Sequence, residues 1–259
     1  MKNSLYLLFF FVQFNFAQNT IKTSFIKKTP LQVDKLVNVD NFQTLFYLDN
    51  NVIHKKNSLI NYTYNNLQLG TATSANAFNP FKINLFYQDL NTVIILDNRL
   101  AEIFKINFNS ISTYKNVSHI STGNDNTIWL YNQDSNELEV YDYLNNKTRI
   151  KTIPISETVL DLTSNFNYCW LLTDKQLYSY NYFGSLLYKI PNDGYSNIAE
   201  SNENLVLQKD NSLLFLDKKS NTIQQIDIDQ LLIKQFSLTN ESLYIYDGEF
   251  LYEYQIKTN

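Results

Sequence analysis

This sequence predicts an all-β chain folded as a ring of six four-stranded sheets, on three observations. An apolar segment runs into an Asp-containing turn six times, at Asp49, Asp89, Asp134, Asp174, Asp210 and Asp247. Subtracting successive positions gives steps of 40, 45, 40, 36 and 37 residues, close to the roughly 40 residues of one four-stranded repeat in circular all-β arrays. No segment carries the cap and stop signals of a helix, so the repeat has to be built from strands.

The first eighteen residues are expected to be an address. Lys2 precedes an unbroken apolar run, Leu5 to Val12, and Ala17 is a small residue just before the polar Gln18. A run of about 8 residues is far short of the about 20 that span a bilayer, so it reads as a cleavable secretory signal. The expected organisation is therefore a signal peptide at 1–17 and a single domain at 18–259. The apolar run is followed by no Cys to carry a lipid, and no later stretch is long and apolar enough to cross a membrane. Removing Lys2 with the signal leaves 20 basic against 25 acidic residues, a balance unsuited to nucleic acid, which needs a basic face.

The third repeat shows the strand order most clearly. Val117 to Ser121 reads as the inner strand, Thr127 to Asn132 as the second, Glu137 to Tyr141 as the third and Thr148 to Ile153 as the outer one. Ile128, Trp129, Leu130 and Tyr131 are apolar on both faces, as a strand between two neighbouring sheets requires. Glu137, Leu138, Glu139 and Val140 alternate like a half-exposed strand. The other inner strands are expected at Leu36 to Asp40, Leu69 to Ser74, Val159 to Thr163, Ser196 to Glu200 and Ile233 to Leu238. All four prolines fall outside the central strands, in keeping with their missing N–H. Glycine is scarce, at 5 residues, and the abundant Asn is expected to supply the left-handed turn positions instead.

Closure follows from the two ends. After Asp247 there is room only for a third strand, Phe250 to Ile256, while a surplus strand, Thr23 to Lys27, precedes the first inner strand. Pairing the two would complete the last sheet and remove an exposed edge.

Taken with the segment Ile128-Trp129-Leu130 followed by Leu138-Glu139-Val140-Tyr141-Asp142, this pattern resembles the six-bladed β-propeller superfamily, with WD-type and NHL-type blades. The resemblance covers nearly the whole chain after the signal and is architectural: the Gly-His and Trp-Asp signatures of WD repeats are absent, and Ser121 to Trp129 only partly follows the sialidase box. The signal and the Asn- and Lys-rich composition resemble exported flavobacterial proteins. What the superfamily implies is a closed ring around a channel.

Candidate functional residues fall in three groups. Asp134, Asp174 and Asp210, with their counterparts in the other turns, would ring one mouth of the channel, either as turn formers or as a charged docking face. Phe78, Asn79 and Phe81 lie in an elongated segment of the second repeat, Ala75 to Phe81, which serves either as an aromatic contact knob or as a cover over the core. Asp40, Asp161 and Glu200 lie on or beside inner strands, where some propeller lactonases and sugar dehydrogenases place carboxylates with calcium, so these oxygens are the calcium candidates. His119 is expected to face the channel or the core. Cys169 is the single cysteine and sits in an apolar strand, so it is expected to be a buried structural thiol.

With no nucleophile and base side by side, the expected function is a non-enzymatic scaffold of the periplasm. Its partner would be a protein of the cell envelope, as for the propeller subunit of the barrel-assembly machinery but without a lipid anchor. A calcium-dependent propeller enzyme and a carbohydrate-binding module are the alternatives. A monomer, with no membrane insertion and no cofactor other than calcium, is expected.

Overall fold

The computed structural model describes residues 20–256, so the signal expected at 1–17 lies outside the described residues. The fold is an all-β propeller: the described residues form 24 strands and one short 3-10 turn, Gln88–Leu90. β1 (Ile21–Pro30) comes first and is set aside by the chain for the last sheet. Four sheets then follow in chain order, each of four antiparallel strands. They are β2 to β5 (Lys35–Val39, Leu45–Asp49, Val52–Lys56, Asn61–Tyr64) and β6 to β9 (Ser74–Asn76, Ile83–Tyr87, Thr92–Leu96, Glu102–Asn107). Next come β10 to β13 (Val117–Thr122, Thr127–Asn132, Glu137–Asp142, Lys147–Lys151) and β14 to β17 (Val159–Ser164, Tyr168–Thr173, Gln176–Asn181, Leu186–Pro191).

The remaining strands form one continuous eight-stranded sheet instead of two separate ones. They are β18 to β21 (Tyr195–Ser201, Asn204–Lys209, Ser212–Leu216, Ile223–Asp227) and β22 to β24 (Gln235–Leu238, Ser242–Tyr246, Phe250–Ile256). The order is β18-β19-β20-β21-β1-β24-β23-β22. β1 is the joint. It runs antiparallel to β24 from Thr23↔Ile256 to Pro30↔Phe250 with a bulge between Phe25 and Lys27, and its first residues run parallel to β21 through Ile21↔Ile226 and Lys22↔Asp227. The expected pairing of the two ends is therefore present, and it also merges the last two groups of strands.

Burial explains the layering. The middle strands are buried on both faces: every residue of β7, β8 and β11 is inaccessible. The outermost strands alternate, as in Lys147–Lys151. Apolar side chains interlock between neighbouring sheets, and six such clusters follow one another around the ring. The cluster of Leu36, Val39, Tyr244 and Tyr246 joins the last strands back to the first sheet. There the Tyr246 hydroxyl donates to the Val33 carbonyl at 2.8 Å and accepts from the Val33 N–H at 3.0 Å.

Two expectations need correction. β12 is not half-exposed: Glu139 is fully buried, because Lys115 Nζ and Thr148 Oγ1 each donate to its Oε2 at 2.5 Å and Asn132 Nδ2 to its Oε1 at 3.1 Å. A charge inside a strand reads as a solvent-facing position until its partners are seen. The inner strand of the second sheet is Ser74–Asn76, not Leu69 to Ser74. Asn66 Oδ1 accepts from the Gln68 and Leu69 N–H groups, and Gly70 takes φ +70°, so a turn occupies the place given to the strand. The expectation for Asn holds. Among the described residues with positive φ that are not Gly, Asn50, Asn51, Asn91, Asn136, Asn146, Asn202 and Asn221 are the majority, and the consecutive pair Asn50-Asn51 closes the β3–β4 hairpin as a turn with both central residues left-handed.

Candidate functional site

The innermost strands, β2, β6, β10, β14, β18 and β22, surround a central channel of about 900 Å³. Each is an edge strand, β18 and β22 at the two ends of the eight-stranded sheet, so each has a row of backbone groups without a ladder partner. Polar side chains from the adjacent sheet supply the missing partners. Gln235 Oε1 accepts from the Leu36 N–H at 3.0 Å, Ser237 Oγ from the Val39 N–H at 3.1 Å, and Asp161 Oδ2 from the Ile198 N–H at 2.8 Å. Asn76 bonds Thr122 Oγ1 at 2.7 Å and Ser121 Oγ at 3.2 Å, and Ser164 Oγ reaches Ser121 Oγ at 2.7 Å. The channel wall is thus a polar belt whose members also fasten one sheet to the next.

Asp161 belongs to this belt. Besides Ile198 it accepts from the Leu162 N–H at 2.8 Å, so both carboxylate oxygens are engaged. Desolvation pushes its pKa up, against the opposing pull of those two N–H groups and of Lys35. Asp40 sits at one mouth, where its Oδ1 accepts from the Phe42 and Thr44 N–H groups at 2.9 and 2.8 Å and shapes the β2–β3 turn. Glu200 differs from both. Its Oε1 accepts from Asn165 Nδ2 at 2.9 Å and the Glu203 N–H at 2.8 Å, but its Oε2, buried, has no hydrogen-bond partner. Desolvation again raises its pKa. The three calcium candidates do not converge. Among the described residues no group of three or more His, Cys, Asp or Glu side chains is placed to hold a metal ion, and the oxygens of Asp161 are taken by the backbone, so these residues do not fit a calcium centre.

His119 lines the channel from β10, with its Nδ1 2.9 Å from Ser118 Oγ. Burial lowers its pKa, which keeps the ring neutral near pH 7. His54 is elsewhere, stacked on Tyr47 with ring centroids 4.5 Å apart. Cys169 is buried and burial pushes its thiol well up, as expected of a structural cysteine.

The other candidates separate onto opposite ends of the ring. Phe78, Asn79 and Phe81 lie in the loop joining a first to a second strand, whereas Asp134, Asp174 and Asp210 lie in turns joining a second to a third. In antiparallel sheets these connections point opposite ways. The aspartates mostly brace their own surroundings: Asp134 Oδ1 accepts from Asn116 Nδ2 at 3.0 Å, Asp174 Oδ1 from the Thr158 N–H at 3.1 Å, and Asp210 has φ 51°. At the other end Asn79 Oδ1 accepts from the Phe81 N–H at 3.0 Å and forms the loop's turn. Phe78 meets Phe166 edge to face with centroids 5.0 Å apart, and of the other rings lining the channel mouth Phe81 is 66% exposed and Phe42 84%.

Sequence reasoning missed Lys35, Asn76, Gln235 and Ser237, whose signal was a polar residue recurring in the inner strands, legible only once the strands are aligned, and it missed Asn165 and Phe166 of the β14–β15 loop, which carry no such signal.

No protein-family model and no curated protein sequence matches the chain. Among solved structures it is similar to virginiamycin B lyase from Staphylococcus aureus, with TM-score 0.60, 14% identity, and coverage of 85% of this chain and 80% of that one. It is also similar to a chain of the mitotic checkpoint complex, with TM-score 0.64, 11% identity and coverage of 100% and 98%. A third likeness is to the Pan2 WD40 domain of Neurospora crassa, with TM-score 0.56, 9% identity and coverage of 89% and 75%. At these identities the likeness is one of fold.

These likenesses correct the expectation of a non-enzymatic scaffold. The fold is shared by lyases, which are enzymes, and by WD40 domains alike, so lacking a nucleophile and base side by side in sequence does not mark a propeller as a scaffold. The physical reason is visible in the channel, where His119, Asp161 and Glu200 come from three successive inner strands. Residues roughly one repeat apart line one channel there, and local sequence cannot reveal such a lining. The shared fold is the β-propeller.

Proposed function

We propose that this protein binds a small polar molecule in its central channel. The observation that carries the reading is the cavity itself: about 900 Å³, within the roughly 300–1,000 Å³ of small-molecule pockets and lined by a few convergent polar groups. Glu200 is the member of the wall with an uncommitted, buried oxygen, and desolvation raises its pKa, which favours the protonated form. That property favours a second reading of the same site, in which Glu200 serves as a general acid toward the bound molecule.

We further propose six blades, with the eight-stranded sheet counted as two blades sharing β1, because six interlocked clusters recur around the ring. Export rests on Lys2, Leu5 to Val12 and Ala17-Gln18. N-terminal sequencing of the protein from released envelope fractions should begin at or near Gln18, and intact Met1 in the cytoplasm counts against it.

The channel reading is tested by screening neutral polyols, amines and small acids for a rise in Tm, in the parent and in Asn197→Trp. Asn197 is an exposed residue of the wall, and an indole there occupies part of the cavity. A compound that stabilises the parent and not the plugged variant supports the reading. Equal stabilisation of both removes the channel from consideration.

A further inference from the structure

Four of the six inner strands carry a β-bulge near their first residues. It falls between Leu36 and Asn38 in β2, Val117 and His119 in β10, Val159 and Asp161 in β14, and Tyr195 and Asn197 in β18. In each strand the residue past the bulge is polar and the next is buried and apolar: Val39, Ile120, Leu162 or Ile198. Asn38, His119, Asp161 and Asn197 are therefore equivalent positions of the repeat, and all four line the channel. They are open to it, since Asn197 is exposed and the other three are half-buried. A bulge bends its strand and re-aims the side chain beside it, and bulges gather next to active sites. On an outer edge a bulge also deters pairing with another chain. These edges face the channel, so that use does not account for them.

The uncommitted atoms of this set are of both kinds. Ser237 Oγ donates to Asn38 Oδ1 at 2.6 Å, which leaves the Asn38 Nδ2 donor. Asn197 Nδ2 donates to Gln208 Oε1 and Ser196 Oγ, both at 3.1 Å, which leaves the Asn197 Oδ1 acceptor. Asp161 holds one backbone N–H on each oxygen, and a carboxylate oxygen has room for a second donor. The charges of the lining balance, with Lys35, Lys55 and Lys234 against Asp40, Asp161 and Glu200. Two of the lysines are also tied to the protein, Lys35 to the Thr73 carbonyl at 3.1 Å and Lys55 to the Asn98 carbonyl at 2.8 Å. The lining thus offers no net sign to a charged ligand. A hydroxyl both donates and accepts, so a molecule carrying several of them matches separated donors and acceptors that an ammonium or a carboxylate matches only in part.

We propose that these four residues form the binding level of the channel and that its ligand is an uncharged polyhydroxylated molecule of the pyranose type. Asn38 Nδ2 donates to one hydroxyl oxygen, while Asn197 Oδ1 and Asp161 accept from others. The imidazole of His119, kept neutral by burial, adds no sign to the set. The inference rests on the reading of the channel as a small-molecule site and names the ligand class.

The test titrates the methyl glycosides of glucose, galactose and mannose into the full chain by calorimetry, each beside its uronate and its 6-amino-6-deoxy form. The three members of a set share one shape and differ in charge. The best-bound neutral glycoside should bind at least about tenfold more tightly than either charged counterpart. Asn197→Ala and Asn38→Ala should each weaken it by about fivefold or more, the loss of one hydrogen bond, at unchanged Tm. Asn240→Ala, in the β22–β23 loop at the end of the inner strands away from the bulges, should leave it unchanged. If Asn38→Ala fails to fold, the exposed Asn197 decides. Charged forms that bind as tightly as the neutral one, and are blocked by Asn197→Trp, overturn the ligand class and leave the channel reading intact. Neutral binding untouched by Asn197→Ala overturns the binding level. Binding of none of the probes overturns the inference, and the channel reading then stands or falls on the amines and small acids of the first screen.

Discussion

Deleting residues 19–29 removes all of β1 but Pro30 and should be close to unfolding the protein. Of the seven register pairs that join β1 to β24 six are lost, and both pairs to β21 go with them. At about 0.5–1.5 kcal/mol net per hydrogen bond, the lost ladder is worth several kcal/mol, offset in part because the deleted residues no longer have to be ordered. Side chains add to the loss. Phe25, though 54% exposed, meets Tyr254 edge to face at 5.6 Å. Lys28 Nζ lies 3.7 Å from the Phe250 ring centroid, a contact of about 0.5–1 kcal/mol at an exposed site. Lys27 Nζ is 3.1 Å from Oε2 of the buried Glu253, close enough to pair in charge but without hydrogen-bond geometry. Its removal leaves that carboxylate unpaired. A net loss of about 4–6 kcal/mol is expected, against the 5–15 kcal/mol that holds a typical domain together. β21 and β24 also become free edges, so association should accompany the loss. Urea denaturation with sedimentation velocity measures both effects, and a truncated protein that melts with the parent's midpoint and stays monomeric refutes the proposed closure.

Lys115→Met should cost about 3–5 kcal/mol by stranding the buried Glu139. Desolvation works to raise the Glu139 pKa, but bonds from Lys115, Thr148 and Asn132 hold it below the ordinary carboxylate value. A depressed folded pKa contributes stability that is present above the unfolded value and lost as pH falls through the folded one, so parent stability should decline on acidification below about pH 4.5 and Glu139→Gln should flatten that decline in urea melts. Asp161 has the opposite sign: its raised folded pKa means that its contribution is greatest below the unfolded value and is lost as pH rises through the folded one. Asp161→Asn, which keeps an acceptor for Ile198, should therefore be less costly at pH 7 than Asp161→Ala, which leaves two N–H groups unsatisfied at about 1–3 kcal/mol. Asn146→Gly should be near neutral by thermal melting and Asn146→Val about 1–2 kcal/mol destabilising, because φ is 50° there.

Much of the ring was legible because its signals are local. Ile128 to Tyr131 are apolar on both faces because they lie between two sheets, and the surplus strand before Leu36 pairs with Phe250 to Ile256 as the missing partner required. The errors came where a distant contact overrides a local pattern. Glu139 alternates like a surface residue until Lys115 reaches it from 24 positions away. The small residues Gly70 to Ser74 suit a crowded axis, yet Gly70 and Asn66 make a turn there. Asp40 and Asp161 were legible as channel residues, but not the reason for them, since the backbone groups they satisfy belong to a turn and to a neighbouring sheet. Phe166 and Asn165 were not legible at all, because their tie to Glu200 and Phe78 exists only once the ring has closed around the channel.

The most direct measurement is a crystal structure of the protein with the compound that raises its Tm most. Density for that compound inside the channel, in contact with side chains of the inner strands, is the expected result. Density confined to the outer strands or to the Asp-bearing turns, with the channel holding only water, contradicts the assignment of the channel as the functional site.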